Sequence, residues 1–171
     1  IGTFYHAALV WSDLSVLESE DREELRSAWA EVVKYAMLES SLLRDHVMGD
    51  TLFEQLERDV DDLRSLNKSK VLNVAAKCVA LKAHVVAADE RDVADYRIFL
   101  NYGHTVAHAL VTATRYRLLH GDAVAIGMAV EAALAVRLGL APPELEQRQN
   151  RLLARFGLPT QLPDVSLNEL L

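Results

Sequence analysis

Gly121-Asp-Ala-Val-Ala-Ile-Gly-Met-Ala-Val-Glu-Ala-Ala-Leu-Ala-Val-Arg-Leu138 is apolar nearly all round. A helix apolar along one stripe lies at a surface, whereas one apolar on every side is buried among other elements. The stretch therefore predicts a buried central helix, which needs other helices around it. Glu23 to Glu39 places Leu25, Ala28, Trp29, Val32, Val33 and Ala36 at helical spacing. Thr51-Leu-Phe-Glu54 matches a capping box and opens a helix to about Leu66. Lys70 to Ala88 is rich in Ala and Val and reads as a long helix. Asp89 to Tyr96 is a charged loop or helix end, and Ile98 to Tyr116 reads as one helix. Pro142-Pro143 starts a last helix that stops at Gly157, with Pro159 beyond it. The expected fold is all-α, a single domain over residues 1–171. Ala8-Leu-Val-Trp11 adds a short orphan strand without a visible partner.

Composition agrees with that reading. Half the residues are hydrophobic (51%), and only 7 Gly and 4 Pro interrupt them. A chain of this length buries roughly 70% of its surface on folding. The net charge of −7 argues against non-specific nucleic-acid binding, which needs a basic footprint. It leaves room for a small anionic substrate held by a few cations. Cys78, the single cysteine, excludes an internal disulfide framework and fits a reducing compartment, so a cytoplasmic protein is expected. No uninterrupted apolar run reaches the ~20 residues of a membrane span, so no membrane is expected. The chain opens on Ile1, and Ser166-Leu-Asn-Glu169 reads as a capping box with only about one turn of helix after it. Both ends suggest a piece of something longer.

The chemistry concentrates in histidines. Four of the 6 lie between positions 84 and 120. His104 and His108 stand at i and i+4, hence on one face of a helix, and His120 opens the next helical segment beside Gly121. Neutral imidazole suits Zn²⁺, and catalytic zinc sites take three protein ligands and leave a position open. Spacing leaves three readings of the pair: both ligate, one ligates while the other handles protons, or both are satisfied core or surface histidines. His6, His46 and His84 lack such company and read as structural or exposed. Glu31 sits on an otherwise apolar face, where a carboxylate is costly unless paired or metal-bound, and Lys34 at i+3 is a ready partner. Lys82 and Arg97 are embedded in apolar sequence. Such cations snorkel to water or point into a pocket and clamp an anion.

Taken together, these segments resemble the C-terminal domain of 3-dehydroquinate synthase and its sugar-phosphate cyclase relatives. Ile1-Gly-Thr-Phe-Tyr5 with Asp13 and Leu17 is similar to the start of that domain. Ala30-Glu-Val-Val-Lys34, Lys82-Ala-His-Val-Val86 and the acidic pair Asp89-Glu90 resemble its next motifs in order. Leu100-Asn-Tyr-Gly-His-Thr105, His108 and His120-Gly-Asp-Ala-Val124 resemble its metal-binding core. The resemblance implies Glu31, His104 and His120 as ligands of Zn²⁺ or Co²⁺, with His108 on the substrate side. It implies substrate contacts from Lys34, Lys82, Arg97 and Asn101. The family substrate is a phosphorylated sugar acid, 3-deoxy-arabino-heptulosonate 7-phosphate. It is cyclised to 3-dehydroquinate with loss of phosphate in the shikimate pathway of aromatic amino acid biosynthesis.

The resemblance also implies NAD⁺ on an N-terminal domain that is not in this chain, and a homodimer. The fragment alone is then expected to be inactive. Two residues depart from the family pattern and are expected to add bulk beside the site: Ala107 stands where Gly is usual, and Trp29 where Leu is usual. Alternatives are a cyclase of secondary metabolism (amino-dehydroquinate, valiolone or inosose type) and a non-catalytic helical metal-binding module. A polyol or iron-type alcohol dehydrogenase shares the architecture but fits Glu31 and the Leu-Asn-x-Gly-His-Thr run less well.

Overall fold

The computed structural model describes residues 7–42 and 50–165, and all regular structure among them is helical. His6, His46, the opening Ile1–Tyr5 motif and the Ser166–Glu169 capping box lie outside the described residues. Helix α5 (His120–Arg137) is the core element, with every residue from Gly121 to Ala129 buried. Around it pack α1 (Arg22–Leu42), α4 (His104–Ala113) and α6 (Pro143–Arg155). Helices α2 (Leu52–Arg64) and α3 (Lys68–Ala88) close over α1. The all-round apolar reading of residues 121–138 thus locates the centre of the fold.

Local signals place most boundaries. Thr51 and Glu54 form the expected capping box: the Thr51 hydroxyl accepts from the Glu54 amide at 3.2 Å, and the Thr51 amide donates to Glu54 Oε2 at 3.0 Å. Glu39 of α1 adds to this cap, because its buried carboxylate accepts from the Leu52 amide at 2.5 Å. Pro143 begins α6, and the chain leaves that helix at Gly157.

Three expectations change. Ala8–Trp11 forms no strand: Leu9, Val10 and Trp11 are exposed, and no strand exists among the described residues to pair with it. The single helix expected from Ile98 to Tyr116 is broken. A 3-10 helix (Tyr96–Asn101) leads into a turn at Tyr102-Gly103, and α4 starts afresh at His104. Gly103 has φ +79°, a left-handed conformation that interrupts a helix and that glycine adopts without steric cost. Apolar periodicity runs straight across that turn and hides it. Finally, α3 is long and apolar enough, by length and composition, to cross a membrane, with mean hydropathy 1.5. Counting uninterrupted runs missed this because Lys77 and Lys82 divide the stretch. Its Val71, Val74, Leu81 and Val85 are buried on the face that packs on α1 and α2, while Leu72 and Val79 on the other side are exposed.

Two close approaches set the geometry that matters for the site. A Cβ on Gly121 would lie 1.9 Å from the Ser27 carbonyl oxygen, so only glycine lets the first turn of α5 touch the α1 backbone. Beside it, the Arg26 guanidinium grips both oxygens of Asp122 at 2.6 and 2.8 Å. Such forked pairs fix geometry as well as adding energy. Helices α1 and α5 are thereby pinned one turn away from Glu31 and next to His120.

Candidate metal centre

Glu31 from α1, His104 from α4 and His120 from α5 converge, each offering one ligand atom, all within 4.8 Å of one another. His104 Nε2 lies 3.3 Å and His120 Nε2 3.4 Å from Glu31 Oε1. The two imidazole rings stand 5.3 Å apart. The other Glu31 oxygen accepts from the buried Lys34 ammonium at 2.5 Å. Lys34 is thus the partner expected from its spacing, and the same carboxylate still presents an oxygen to the histidines.

Electrostatics prepare these groups as ligands. Burial is the largest single influence on the Glu31 carboxyl and pushes it up. The Lys34 hydrogen bond and charge, with help from His104 and His120, outweigh burial and hold it below the usual carboxylate range. Burial pushes His104 below the usual histidine range, favouring the neutral ring that a metal requires. Nδ1 of His104 lies 3.2 Å from the Tyr102 carbonyl oxygen. A carbonyl can only accept, so the proton sits on Nδ1 and the Nε2 lone pair points toward Glu31 and His120. One ionised carboxylate and two imidazole nitrogens form the donor set of a catalytic rather than a structural site. The residues present therefore fit a divalent transition metal. The His120 side chain is 56% exposed, so the cluster is open on that side.

The remaining candidates fall into two places. His108, one turn along α4, presents its ring edge-on to His104 at 5.6 Å and is solvent-exposed. Lys82, Arg97 and Asn101 line a separate cavity of about 450 Å3, together with Asp92, Asp95, Ile98 and Leu100. Neither cation of this cavity is held by a carboxylate within salt-bridge distance among the described residues, so both remain available to an anion. His84 is exposed. Ala107 and Trp29 are core residues. Ala107 is fully buried, and Trp29 stacks on Phe156 at 4.9 Å.

Sequence reasoning assigned no role to several residues that shape these places. Asp89 clamps the loop that carries Arg97. Tyr102, Glu131 and Gln149 hold the turn before His104. Glu131 had a visible signal: it is one of two acids in the apolar α5 stretch, the other being Asp122 in its first turn, and it lies on the same stripe as His120. The two aspartates in the Lys82–Arg97 cavity had none, because their loop carries no periodicity.

Comparison with known proteins gives the family of the chain. The family model described as 3-dehydroquinate synthase C-terminal matches residues 28–171. The 3-dehydroquinate synthase of Nostoc punctiforme is 40% identical over 166 residues, covering 95% of this chain and 43% of the relative. That of Agrobacterium fabrum is 38% identical over 168 residues, covering 96% and 42%. The chain thus spans about two fifths of the length of the curated relatives it matches. Among solved structures, 2-epi-5-epi-valiolone synthase from Streptomyces hygroscopicus, with NAD⁺ and Zn²⁺ bound, superposes with a TM-score of 0.74. It is 23% identical, with 92% of this chain and 42% of that one covered, and it supports the all-α domain seen here. On the family match and the helical fold together, this chain belongs to the 3-dehydroquinate synthase C-terminal family.

Proposed function

We propose that the chain is the metal- and substrate-binding part of an enzyme that converts 3-deoxy-arabino-heptulosonate 7-phosphate to 3-dehydroquinate and phosphate. In that reading it works with an NAD⁺-binding domain outside these residues, as a homodimer in the cytoplasm, in aromatic amino acid biosynthesis. The observation that carries the proposal is the convergence of Glu31, His104 and His120 from three helices. These three residues would hold Zn²⁺, or Co²⁺ in its place. A bound zinc supplies Lewis acidity toward the substrate hydroxyl that is to be oxidised.

The chain's own residues supply binding and orientation. Lys34 fixes the Glu31 carboxylate and puts a positive charge beside it. Lys82 and Arg97 provide charge for the phosphate or carboxylate of the substrate, and Asn101 on the same cavity wall hydrogen-bonds a hydroxyl. His108, exposed beside His104, is placed to accept or return a proton on the substrate side. Holding a substrate in a reactive orientation with such groups lowers the barrier by removing the entropy of bringing the partners together.

One observation favours a second reading. The Lys82–Arg97 cavity is also lined by Asp92 and Asp95, so its charge is mixed rather than cationic. A carboxylate-bearing substrate fits such a wall less well than a sugar phosphate without the acid, as used by valiolone- or inosose-type cyclases. The test is phosphate release by the protein carrying both domains, supplied with NAD⁺ and zinc. Release from the heptulosonate phosphate supports the first reading. Release from heptulose or hexose phosphates alone supports the second. No release from any sugar phosphate leaves a non-catalytic metal-binding module.

A further inference from the structure

Helix α5 serves the candidate metal centre with more than a ligand. His120, Val124, Gly127 and Glu131 fall at i, i+4, i+7 and i+11, one stripe of the helix. His120 belongs to the cluster, and the other three face the turn before His104. A Cβ on Gly103 would lie 2.8 Å from the Val124 carbonyl oxygen, and a Cβ on Gly127 would lie 1.9 Å from that of Gly103. Glu131 Oε2 accepts from the Gly103 amide at 2.9 Å. From α6, the fully buried Gln149 takes a hydrogen bond from the Tyr102 hydroxyl at 2.6 Å and donates to the Met128 carbonyl at 3.1 Å.

The Gly103 N–H and the Tyr102 C=O belong to the same peptide unit. That unit is planar, so fixing one end fixes the other. Its N–H is held by Glu131, and its C=O is the acceptor for His104 Nδ1 at 3.2 Å. The result is a continuous chain: Glu131 carboxylate, Tyr102–Gly103 peptide, His104 imidazole, metal position. Metal-bound histidines commonly donate their second N–H to a carboxylate or a carbonyl, which fixes tautomer and ring direction. Here a carboxylate acts through a peptide. The other oxygen of Glu131, Oε1, is buried and has no hydrogen-bond partner among the described residues. Glu131 is committed to the Gly103 amide.

We propose that Glu131 is a positioning residue for the metal centre: through the Tyr102–Gly103 peptide it sets the tautomer and direction of His104, with Tyr102 and Gln149 bracing the same turn. The inference rests on the metal-site reading above. The test measures Zn²⁺ affinity by chelator competition and the visible absorption of bound Co²⁺, in wild type, Glu131→Ala, Glu131→Asp and Glu131→Gln. Alanine lacks the acceptor and aspartate is too short to reach, so both are expected to bind zinc about 10–100-fold more weakly with an altered Co²⁺ spectrum, while glutamine, which keeps an acceptor oxygen, stays within about threefold of wild type. Wild-type affinity and spectrum in Glu131→Ala, or in Glu131→Asp should the alanine variant not fold, overturn the inference even if apo-protein stability falls. A glutamine variant as weak as alanine also overturns it. A wild-type protein that binds neither metal removes the metal-site reading itself, a result distinct from intact binding that ignores Glu131.

Discussion

Asp89 is buried at the end of α3, and its carboxylate accepts from the amides of Val93 at 2.9 Å, Ala94 at 3.2 Å and Tyr96 at 3.1 Å. The loop it gathers is unfavourable on its own: Asp92 and Asp95 both sit at φ +56°, a region non-glycine residues seldom occupy. Burial is the largest influence on the Asp89 carboxyl and raises it, yet the backbone donors together hold it below the ordinary carboxylate range. A depressed carboxyl pKa means the contribution is complete above the unfolded value of 3.8 and is lost as pH falls through the lower folded value. In wild type, slow hydrogen exchange at the Val93, Ala94 and Tyr96 amides is therefore expected to persist through the ordinary carboxyl range and to fail only below it. Asp89→Asn at neutral pH is expected to speed exchange at these amides while α5 stays protected. Unchanged exchange in that variant would sink the clamp. The sequence marked Asp89-Glu90 as a motif but not as a clamp, since the donors' direction depends on backbone angles that no residue pattern announces. Glu31 and Lys34 were legible as a pair because i+3 spacing decides their contact.

Helix α5 meets the α1 backbone at one point, Gly121 against Ser27. Helix propensity alone would make alanine about 1 kcal/mol better than glycine in a helix. Overpacking opposes it at about 1–3 kcal/mol, and more when the obstacle is backbone that cannot rotate away. The added Cβ would stand 1.9 Å from a carbonyl oxygen, so the clash wins. Gly121→Ala is expected to destabilise the protein by about 2 kcal/mol in urea unfolding and to weaken zinc binding, because His120 retreats from Glu31 with its helix. A variant as stable as wild type would mean that α1 and α5 separate without cost. At this scale the sequence was most readable where burial was total or caps were explicit, as in α5 and α2. It misled where a single residue overrides periodicity, as Gly103 does by splitting the expected helix at 98–116. The apolar run at residues 8–11 misled for a different reason. Apolar composition makes a strand only where another edge is available. Trp29, singled out for its departure from the family pattern, carries a packing contact that no pattern announces, stacking on Phe156.

Across the whole molecule, the three candidate ligands come from helices separated in the chain but adjacent in space. Spacing drew attention to His104 and His108 because they share a helix. The third member, Glu31, was supplied by family resemblance, since periodicity cannot reveal contacts between distant segments. That separation has a thermodynamic consequence. An ion held by Glu31, His104 and His120 ties α1, α4 and α5 together, and the unfolded chain has no equivalent site. A ligand that binds only the native state stabilises it by about 2.7 kcal/mol at a hundredfold excess over Kd. For a domain of this size each kcal/mol moves Tm by about 2–4 °C, so zinc at that level is expected to raise Tm by roughly 5–10 °C. A chelator should reverse the shift, and metal analysis should return about one zinc per chain. The shift should shrink only at a pH below the ordinary histidine range, because burial lowers the basicity of His104 and a proton competes with the metal for its ring nitrogen only there. Glu31→Ala, His104→Ala and His120→Ala should each abolish the zinc-dependent part of Tm. His108→Ala, which leaves the triad intact, should retain it. Equal Tm with and without zinc in wild type would show that the three helices meet for packing alone, and would withdraw the metal from the mechanism.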